Sequence, residues 1–447
     1  MKKLILLLLA CLLAGCAIAV AEMPEIPQYE GYTLVWHDEF DGDTLNSADW
    51  NREVRRAGWT NNELQAYTGS DANIFIRDGV LVLKAIRHVD ENGRVTYTSG
   101  KVQTQDKHDF LYGKIVVRAR VPQGRGLWPA IWMMPTRESY YGSWPKCGEI
   151  DIMEILGHQT HITYGTIHFG EPHAQRQGSY SLRGGATFSD DFHEFSVEWE
   201  PGEFRFYVDG VHYYTTGDWY SISAGNERPY PAPFDQTFFI QLNLAVGGTW
   251  PGDPDENTDF DKAEFEIDYV RVYQRPAYDT NVVKPSQRYR EPEADGNLVH
   301  NGSFAKRESL KDKENWVFYQ GEGGGANVTI LRSAAVIDIR ADGTQPHSVQ
   351  LYQTQVPMRQ GQRYRVTFDA WAEAERTMQV AISGPDRGYI RYFPDTVVNL
   401  TTEQTTYTFE FTMEAADDNN GRIEFNMGNS GSVATVRITN VRVEAID

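Results

Sequence analysis

Short alternating runs of apolar and polar residues fill the chain between residues 30 and 274. In residues 204–208 (Phe-Arg-Phe-Tyr-Val) one face is apolar and the other mixed, which is the period of two expected of a half-buried strand. No stretch of about 12 residues or more shows the 3.6-residue period of an amphipathic helix. Gly, Pro, Asn and Asp separate the runs. The pattern therefore predicts an all-β, antiparallel sandwich or barrel. Comparable runs occur at 80–86, 113–121, 130–134, 192–200, 238–244 and 265–273.

The composition changes between residues 275 and 296, where three prolines and many charges replace the apolar runs. This segment is typical of an interdomain linker. Alternation returns at 364–371, 378–382, 407–412 and 433–443. Residues 28–274 and 297–447 are therefore predicted as two β-sandwich domains, each long enough to form its own core.

Charge and aromatic content narrow the range of partners. The formal net charge of −20 argues against nucleic acid, whose phosphates need a basic surface. Aromatic residues make up 13% of the chain, and their rings suit the apolar faces of sugars. A neutral polysaccharide is the expected partner, and the protein is expected to be a monomer.

The N-terminus has the features of an export signal over residues 1–21. Lys2 and Lys3 precede an apolar run at 4–9 that is too short for a permanent membrane span. Leu13-Ala14-Gly15-Cys16 resembles a bacterial lipobox, whereas Ala19-Val20-Ala21 fits ordinary signal peptidase. We expect either an outer-membrane or cell-surface lipoprotein, anchored only by a lipid on Cys16, or a secreted protein. Cys147 is then the one cysteine of the folded part, predicted as a buried structural residue.

Acidic and apolar residues alternate in the segment Glu149-Ile150-Asp151-Ile152-Met153-Glu154. Glu149 and Asp151 share a strand face, but Glu154 lies an odd number of residues beyond Glu149 and would point into the core. An unpaired carboxylate is costly there. A β-bulge near Ile152 and Met153 would return Glu154 to the polar face.

Paired carboxylates on one face predict acid–base chemistry. With the bulge, the Cα atoms of Glu149 and Glu154 are about 13 Å apart. Side chains that lean together then approach the ~5–5.5 Å carboxyl separation of retaining glycosidases. Glu149 is the expected nucleophile, Glu154 the acid and base, and Asp151 the residue that positions Glu149. A solvated acidic face or a Ca²⁺ site is the alternative.

Six motifs that occur in order resemble glycoside hydrolase family 16, in the bulged form of bacterial laminarinases. This resemblance implies a concanavalin-like β-jelly roll and a retaining endo-β-1,3-glucanase without a catalytic cofactor. The motifs begin at Trp36 (WHDEF), Asn61 (NNELQAYT), Gly126 (GLWPAIWM), Trp144 (WPKCGEIDIME), Val246 (VGGTWPG) and Ile267 (IDYVRVY).

The same resemblance implies roles for matching residues. Trp128 and Trp132, four apart on a predicted strand, would stack on glucose units, with core packing as the alternative. His168 would lie near the cleaved bond, although a structural histidine is also compatible. The other sugar contacts would be Asn61, Arg87 and Trp250, and a structural Ca²⁺ would bind at Glu39, Gly79 and Asp268.

The C-terminal part resembles carbohydrate-binding modules of families 4 and 9, on motifs that begin at Asn297 (NLVHNGSF), Pro346 (PHSVQL) and Gly361 (GQRYRVTFDAW). Three other functions stay open: a mixed-linkage β-1,3-1,4-glucanase, an agarase-like specificity and a non-catalytic glucan-recognition protein. The retained Glu149, Asp151 and Glu154 favour an enzyme. The bulged spacing favours laminarin over lichenan.

Overall fold

The computed structural model describes residues 26–223, 225–310 and 314–447. The predicted signal peptide and Cys16 lie outside these residues. In the described ranges the helical segments are four short 3₁₀ turns, and none has the length and hydrophobicity needed to cross a bilayer. These turns are Glu138–Tyr140, Pro285–Gln287, Pro346–Ser348 and Pro385–Arg387.

The first domain is built from short strands. In chain order they are β1 (Thr33–Asp38), β2 (Asn51–Arg52), β3 (Gln65–Tyr67), β4 (Ile74–Arg77), β5 (Val80–Lys84), β6 (Ile86–Val89), β7 (Val95–Ser99), β8 (Lys101–Gln103), β9 (Asp109–Phe110), β10 (Gly113–Arg120), β11 (Leu127–Pro135), β12 (Glu149–Glu154), β13 (Ile162–Phe169), β14 (Ala174–Ser181), β15 (His193–Glu200), β16 (Glu203–Val208), β17 (Val211–Thr216), β18 (Ile222–Ser223), β19 (Asn226–Glu227), β20 (Phe238–Val246) and β21 (Glu264–Gln274).

Two eight-stranded sheets enclose the core of this domain. One has the order β17-β16-β15-β10-β21-β5-β4, with β1 also paired to β21. The other has the order β14-β13-β12-β11-β20-β8-β2, with β9 also paired to β20, and we call it the cleft sheet. Small sheets β18-β19 and β3-β7-β6 lie at the periphery. The predicted all-β sandwich is confirmed.

Alternating burial explains why these segments form strands. In β16, Phe204, Phe206 and Val208 are buried, whereas Arg205 and Tyr207 are half-buried. Each buried phenylalanine contributes about 1.5–3 kcal/mol through removal of apolar surface from water. The apolar side chains of both sheets meet in one continuous cluster, so the polar residues of the cleft sheet are left on its opposite face.

The second domain is a sandwich of two five-stranded sheets, ordered β22-β25-β30-β27-β28 and β23-β24-β31-β26-β29. Its own apolar cluster lies between them, as predicted. The strands are β22 (Trp316–Gln320), β23 (Gly324–Ile330), β24 (Ala335–Asp342), β25 (Val349–Met358), β26 (Arg363–Ala372), β27 (Arg376–Gly384), β28 (Ile390–Leu400), β29 (Thr405–Thr412), β30 (Asp418–Asn426) and β31 (Val436–Ile446).

The segment between the domains is attached to both of them. Tyr278 packs on Tyr112 of the first domain, with ring centroids 5.2 Å apart. Nζ of Lys284 lies 3.2 Å from a carboxylate oxygen of Asp218 in the first domain and 3.5 Å from one of Asp386 in the second. Lys284 therefore forms ion pairs with one acidic residue of each domain.

Candidate active site

An open cleft of about 1180 Å³ runs across the outer face of the cleft sheet. Both the three acids of β12 and an unusual number of aromatic side chains line it. The tryptophans of the lining are Trp59, Trp128, Trp132, Trp144 and Trp250. Flat apolar rings beside carboxylates are the combination that sugar recognition and acid–base chemistry require.

A β-bulge in β12 brings the acids together. On β11, Ala130 pairs with Glu154 and Ile131 with Met153, but the next residue, Trp132, pairs with Asp151. Ile152 is therefore the extra residue, and it points into the core beside Met153. The register to β13 shifts at the same place. The predicted bulge is confirmed, and Glu149, Asp151 and Glu154 all line the cleft.

Burial and mutual repulsion govern the three carboxyl groups. Burial raises the pKa of Glu149. Hydrogen bonds from Asp151 and Trp144 and the charge of Lys101 lower it and so limit the rise. Burial and the charges of Glu149 and Glu154 raise the pKa of Asp151 further. The proton held by Asp151 is donated to Glu149, so the arrangement favours an ionised Glu149 beside a neutral neighbour.

Glu154 is tuned separately. Burial, followed by the charge of Glu149, raises its pKa to about 8. The indole Nε1 of Trp128 donates a hydrogen bond of 3.1 Å to Glu154, which lowers the pKa and limits this rise. A carboxyl group that holds its proton near neutral pH can act as a general acid.

A polar network fixes Trp132 in the cleft wall. Its Nε1 donates to Oδ1 of Asn243 at 2.6 Å, and Nδ2 of Asn243 donates to the Tyr67 hydroxyl at 3.0 Å. Nζ of Lys101 lies 4.7 Å from the Trp132 ring centroid and 4.8 Å from that of Trp59. Trp132 is thus held at its edge by a hydrogen bond and at its face by a cation.

Lys101 is a cleft residue that the sequence interpretation missed. Only 1% of its side chain is exposed, and Nζ lies 3.6 Å from a carboxylate oxygen of Glu53. The sequence around Lys101 does not indicate that this lysine is buried in the cleft, because the aromatic rings that cover it, those of Trp59 and Trp132, belong to distant segments. Trp144 and Glu63 were also missed, although Trp144 stands in the quoted motif that contains the acids.

Five of the six predicted sugar-contacting residues line the cleft: Trp128, Trp132, His168, Asn61 and Trp250. Asn61 donates from Nδ2 to Glu63 at 3.2 Å. The Trp250 ring packs edge-on against Trp128 and also contacts Tyr164.

Arg87 does not line the cleft, which corrects the sixth prediction. It lies on β6, at the edge of the small sheet β3-β7-β6, and its side chain is exposed. The motif resemblance located the strand but not the direction of this side chain, which the pairing of β6 with β7 determines.

The acids of the predicted calcium site have arginine partners. Glu39 forms two hydrogen bonds with Arg271, of 2.8 and 2.7 Å, and Asp268 forms an ion pair with Arg118. Gly79 lies in the turn between β4 and β5 with a φ of +75°. Carboxylates that arginines already neutralise do not make a favourable Ca²⁺ donor set, so these residues do not fit the predicted ion.

Cys147 is fully buried and unpaired, as predicted. It packs with Met134 and Phe239, two residues that line the cleft. Burial raises the pKa of its thiol to about 12, which excludes a thiolate nucleophile at ordinary pH.

Comparisons with known proteins agree with this site. Residues 56–271 match the family model "Glycosyl hydrolases family 16", and residues 296–432 match a "Carbohydrate binding domain". A Beta-glucanase of Rhodothermus marinus is 39% identical over 274 residues, which are 59% of this chain and 92% of that protein. The chain belongs to glycosyl hydrolase family 16. The predicted family and the predicted C-terminal module are both confirmed.

Two further relatives differ in how much of their length is matched. Glucan endo-1,3-beta-glucosidase A1 of Niallia circulans is 41% identical over 268 residues, so the chain spans 56% of its own length but only 39% of that protein. The solved laminarinase catalytic domain of Thermotoga maritima MSB8 is 42% identical, with 55% of this chain and 99% of that one covered and a TM-score of 0.48.

Proposed function

We propose that the first domain of this family 16 glycoside hydrolase cleaves internal β-1,3 linkages of a neutral glucan with retention of configuration. Glu149 attacks the anomeric carbon, and Glu154 protonates the leaving oxygen and then activates water. Asp151 holds its proton against Glu149 and orients it. The observation that supports this most is the bulge at Ile152, which aligns three acids along an open, tryptophan-lined cleft.

An open cleft supports endo action. Strands on both sides of β12 contribute to the lining, with Gln175 and Gln177 of β14 on one side and Gln241 of β20 and Gln103 of β8 on the other. A chain that extends beyond both ends of such a cleft can be cut internally. The names of the relatives above support β-1,3-glucan as the substrate.

The test is hydrolysis of laminarin, curdlan and lichenan by the purified full chain, with the released oligosaccharides identified. We expect laminarin to be cut fastest into oligosaccharides, with the β-anomer as the first product in proton NMR. An initial α-product would contradict retention. Preference for lichenan would favour the mixed-linkage alternative, and binding without hydrolysis would favour a recognition protein.

Glu149→Gln separates catalysis from binding in the same experiment. The change removes the nucleophile but keeps the shape of the side chain, so we expect hydrolysis to fall by about 10³-fold or more while laminarin binding persists. Glu203→Gln is the matched control, because Glu203 lies on β16 in the opposite sheet. Equal activity of Glu149→Gln and Glu203→Gln would contradict the assignment.

We further propose that the second domain binds the same glucan through the outer face of the sheet β22-β25-β30-β27-β28. Gln350 and Glu424 alternate with core residues along their strands, so their side chains point to the outer face of the sheet. Both are nevertheless almost fully buried there. Cζ of Arg422 lies 4.1 Å from the ring centroid of Tyr352. In a Glu149→Gln background, Tyr352→Ala should weaken adsorption to curdlan. Unchanged adsorption would exclude this face.

Export by a lipid anchor is a separate proposal, which the lipobox-like Leu13-Ala14-Gly15-Cys16 supports. Expressed in a bacterium with radiolabelled palmitate, the full chain should incorporate label. Cys16→Ser should abolish incorporation, and Cys11→Ser should not. Absence of label in the wild-type chain would contradict the anchor and leave secretion after Ala21 as the better explanation.

A further inference from the structure

One histidine faces the acids of β12 from the neighbouring strand. His168 on β13 pairs directly with Glu149 on β12, and Asp151 lies two residues further along the same face. The imidazole Nε2 of His168 lies 3.4 Å from Oδ2 of Asp151. One ligand atom each from Glu149, Asp151 and His168 all lie within 4.8 Å of one another.

The separation between His168 and Asp151 matches that of two ligands of one metal ion. Two ligand atoms bound tetrahedrally to Zn²⁺ at about 2.1 Å are about 3.4 Å apart. The distance between His168 and Asp151 already has this value. The Glu149 oxygen lies within 4.8 Å of the other two ligand atoms, and a change of its side-chain torsions would bring it closer to the same ion.

An independent observation points to a missing ligand. Oδ2 of Asp151 is shielded from solvent and accepts no hydrogen bond from the described residues. Its contact with His168 does not have hydrogen-bond geometry, although Asp151 is only 2% exposed. A buried oxygen without a partner destabilises the fold, and a bound cation would remove that cost.

The surroundings of His168 orient it as a ligand. Its Nδ1 forms a hydrogen bond of 2.9 Å with Nε2 of His173, so the opposite ring nitrogen points at the carboxylates. The two imidazoles are stacked, and Trp144 packs against both. A second hydrogen bond that fixes the ring is the usual support of a metal-binding histidine.

We propose that Glu149, Asp151 and His168 form a site for a divalent transition-metal ion of the Zn²⁺ or Cu²⁺ type, and that the bound ion blocks the cleft. Imidazole with carboxylates suits these ions, whereas Ca²⁺ and Mg²⁺ prefer oxygen ligands alone. The ion would occupy an oxygen of Glu149 and the space of the reacting sugar. Metal and glucan would therefore compete.

The test is calorimetric titration of ZnCl₂ into the full chain after removal of metals with EDTA. We expect one Zn²⁺ per chain, and loss of this binding in His168→Gln and in Asp151→Asn, which keeps the side-chain shape. His173→Phe should weaken binding by about 10-fold. His193→Gln is the control, because it disrupts a histidine–aspartate pair outside the cleft and should leave the site intact.

Laminarin oligosaccharide added before the titration should lower the apparent Zn²⁺ affinity of the wild type. Zn²⁺ binding of wild-type strength in both His168→Gln and Asp151→Asn would overturn the proposal, as would the absence of binding heat in the wild type. Because the readout of the Zn²⁺ titration is heat rather than hydrolysis, that result does not depend on the proposed activity, whereas the competition with laminarin rests on the proposed function.

Discussion

The indole Nε1 of Trp128 donates a hydrogen bond of 3.1 Å to Oε1 of Glu154. Trp128 lies on β11, and the residue two positions further along that strand, Ala130, pairs with Glu154. A single tryptophan therefore offers its ring to the cleft and its N–H to the proposed general acid. Sugar contact and acid strength are coupled in one side chain.

Trp128→Phe should raise the pKa of Glu154, because the lost hydrogen bond favours the ionised carboxylate. The proposed acid would then keep its proton to higher pH, so the alkaline limb of kcat/KM should move upward. Activity at neutral pH, where Glu154 is protonated, should fall by up to about 10-fold, the value of one hydrogen bond to a neutral group. Trp250→Phe has no such bond to Glu154, and its alkaline limb should stay in place. An alkaline limb that moves downward in Trp128→Phe would contradict this coupling.

Lys101→Met should shift the acidic limb of the pH profile upward. The ammonium lowers the pKa of Glu149, so its removal makes the nucleophile harder to ionise. Lys101→Arg keeps the charge and should restore most of the limb. A merely structural role predicts equal losses at every pH in both variants, which initial rates on laminarin across the pH range would reveal.

Glu154→Gln should stabilise the fold at alkaline pH. The ordinary pKa of Glu154 is 4.5, and burial raises it to about 8 in the folded state. The folded chain therefore binds more protons than the unfolded chain in this window, and the free energy of unfolding falls as pH rises through it. Glutamine cannot ionise. The Tm of the variant should exceed that of the wild type by at least about 2 °C at pH 8, and by less at pH 4.5. A difference that shrinks as pH rises would be the opposite result.

Deletion of Ile152 tests the bulge. Without it, Glu149, Asp151 and the final glutamate fall at alternate positions and still face the cleft. We expect a folded protein, less stable by about 2–5 kcal/mol through the lost core side chain, that retains measurable hydrolysis. Insertion of an alanine after Ile152 places the final glutamate six residues after Glu149, on the same face but about 6.6 Å further along the strand than in the deletion variant, and should reduce activity further. Greater hydrolysis by the insertion variant would contradict this role of the bulge.

The sequence predicted what local periodicity controls. Two sandwiches, the bulge and the shared face of Glu149, Asp151 and Glu154 all follow from alternation and from the cost of burying a charge. The position of Lys101 in the cleft could not be predicted in this way, since Trp59 and Trp132, which cover it, belong to other segments. Arg87 was assigned to the cleft by motif alone, and strand pairing directs it elsewhere.

The attachment of Lys284 to Asp218 and Asp386 has a consequence for attack on insoluble glucan. With a flexible linker, the second domain could bind the glucan while the catalytic domain adopted any orientation relative to the glucan chains. A linker attached to both domains would instead limit the angles that the two sandwiches can adopt, so that adsorption would favour particular orientations of the cleft on the glucan chain. The second domain would then raise the local concentration of glucan and also restrict the direction in which the glucan chain enters the cleft.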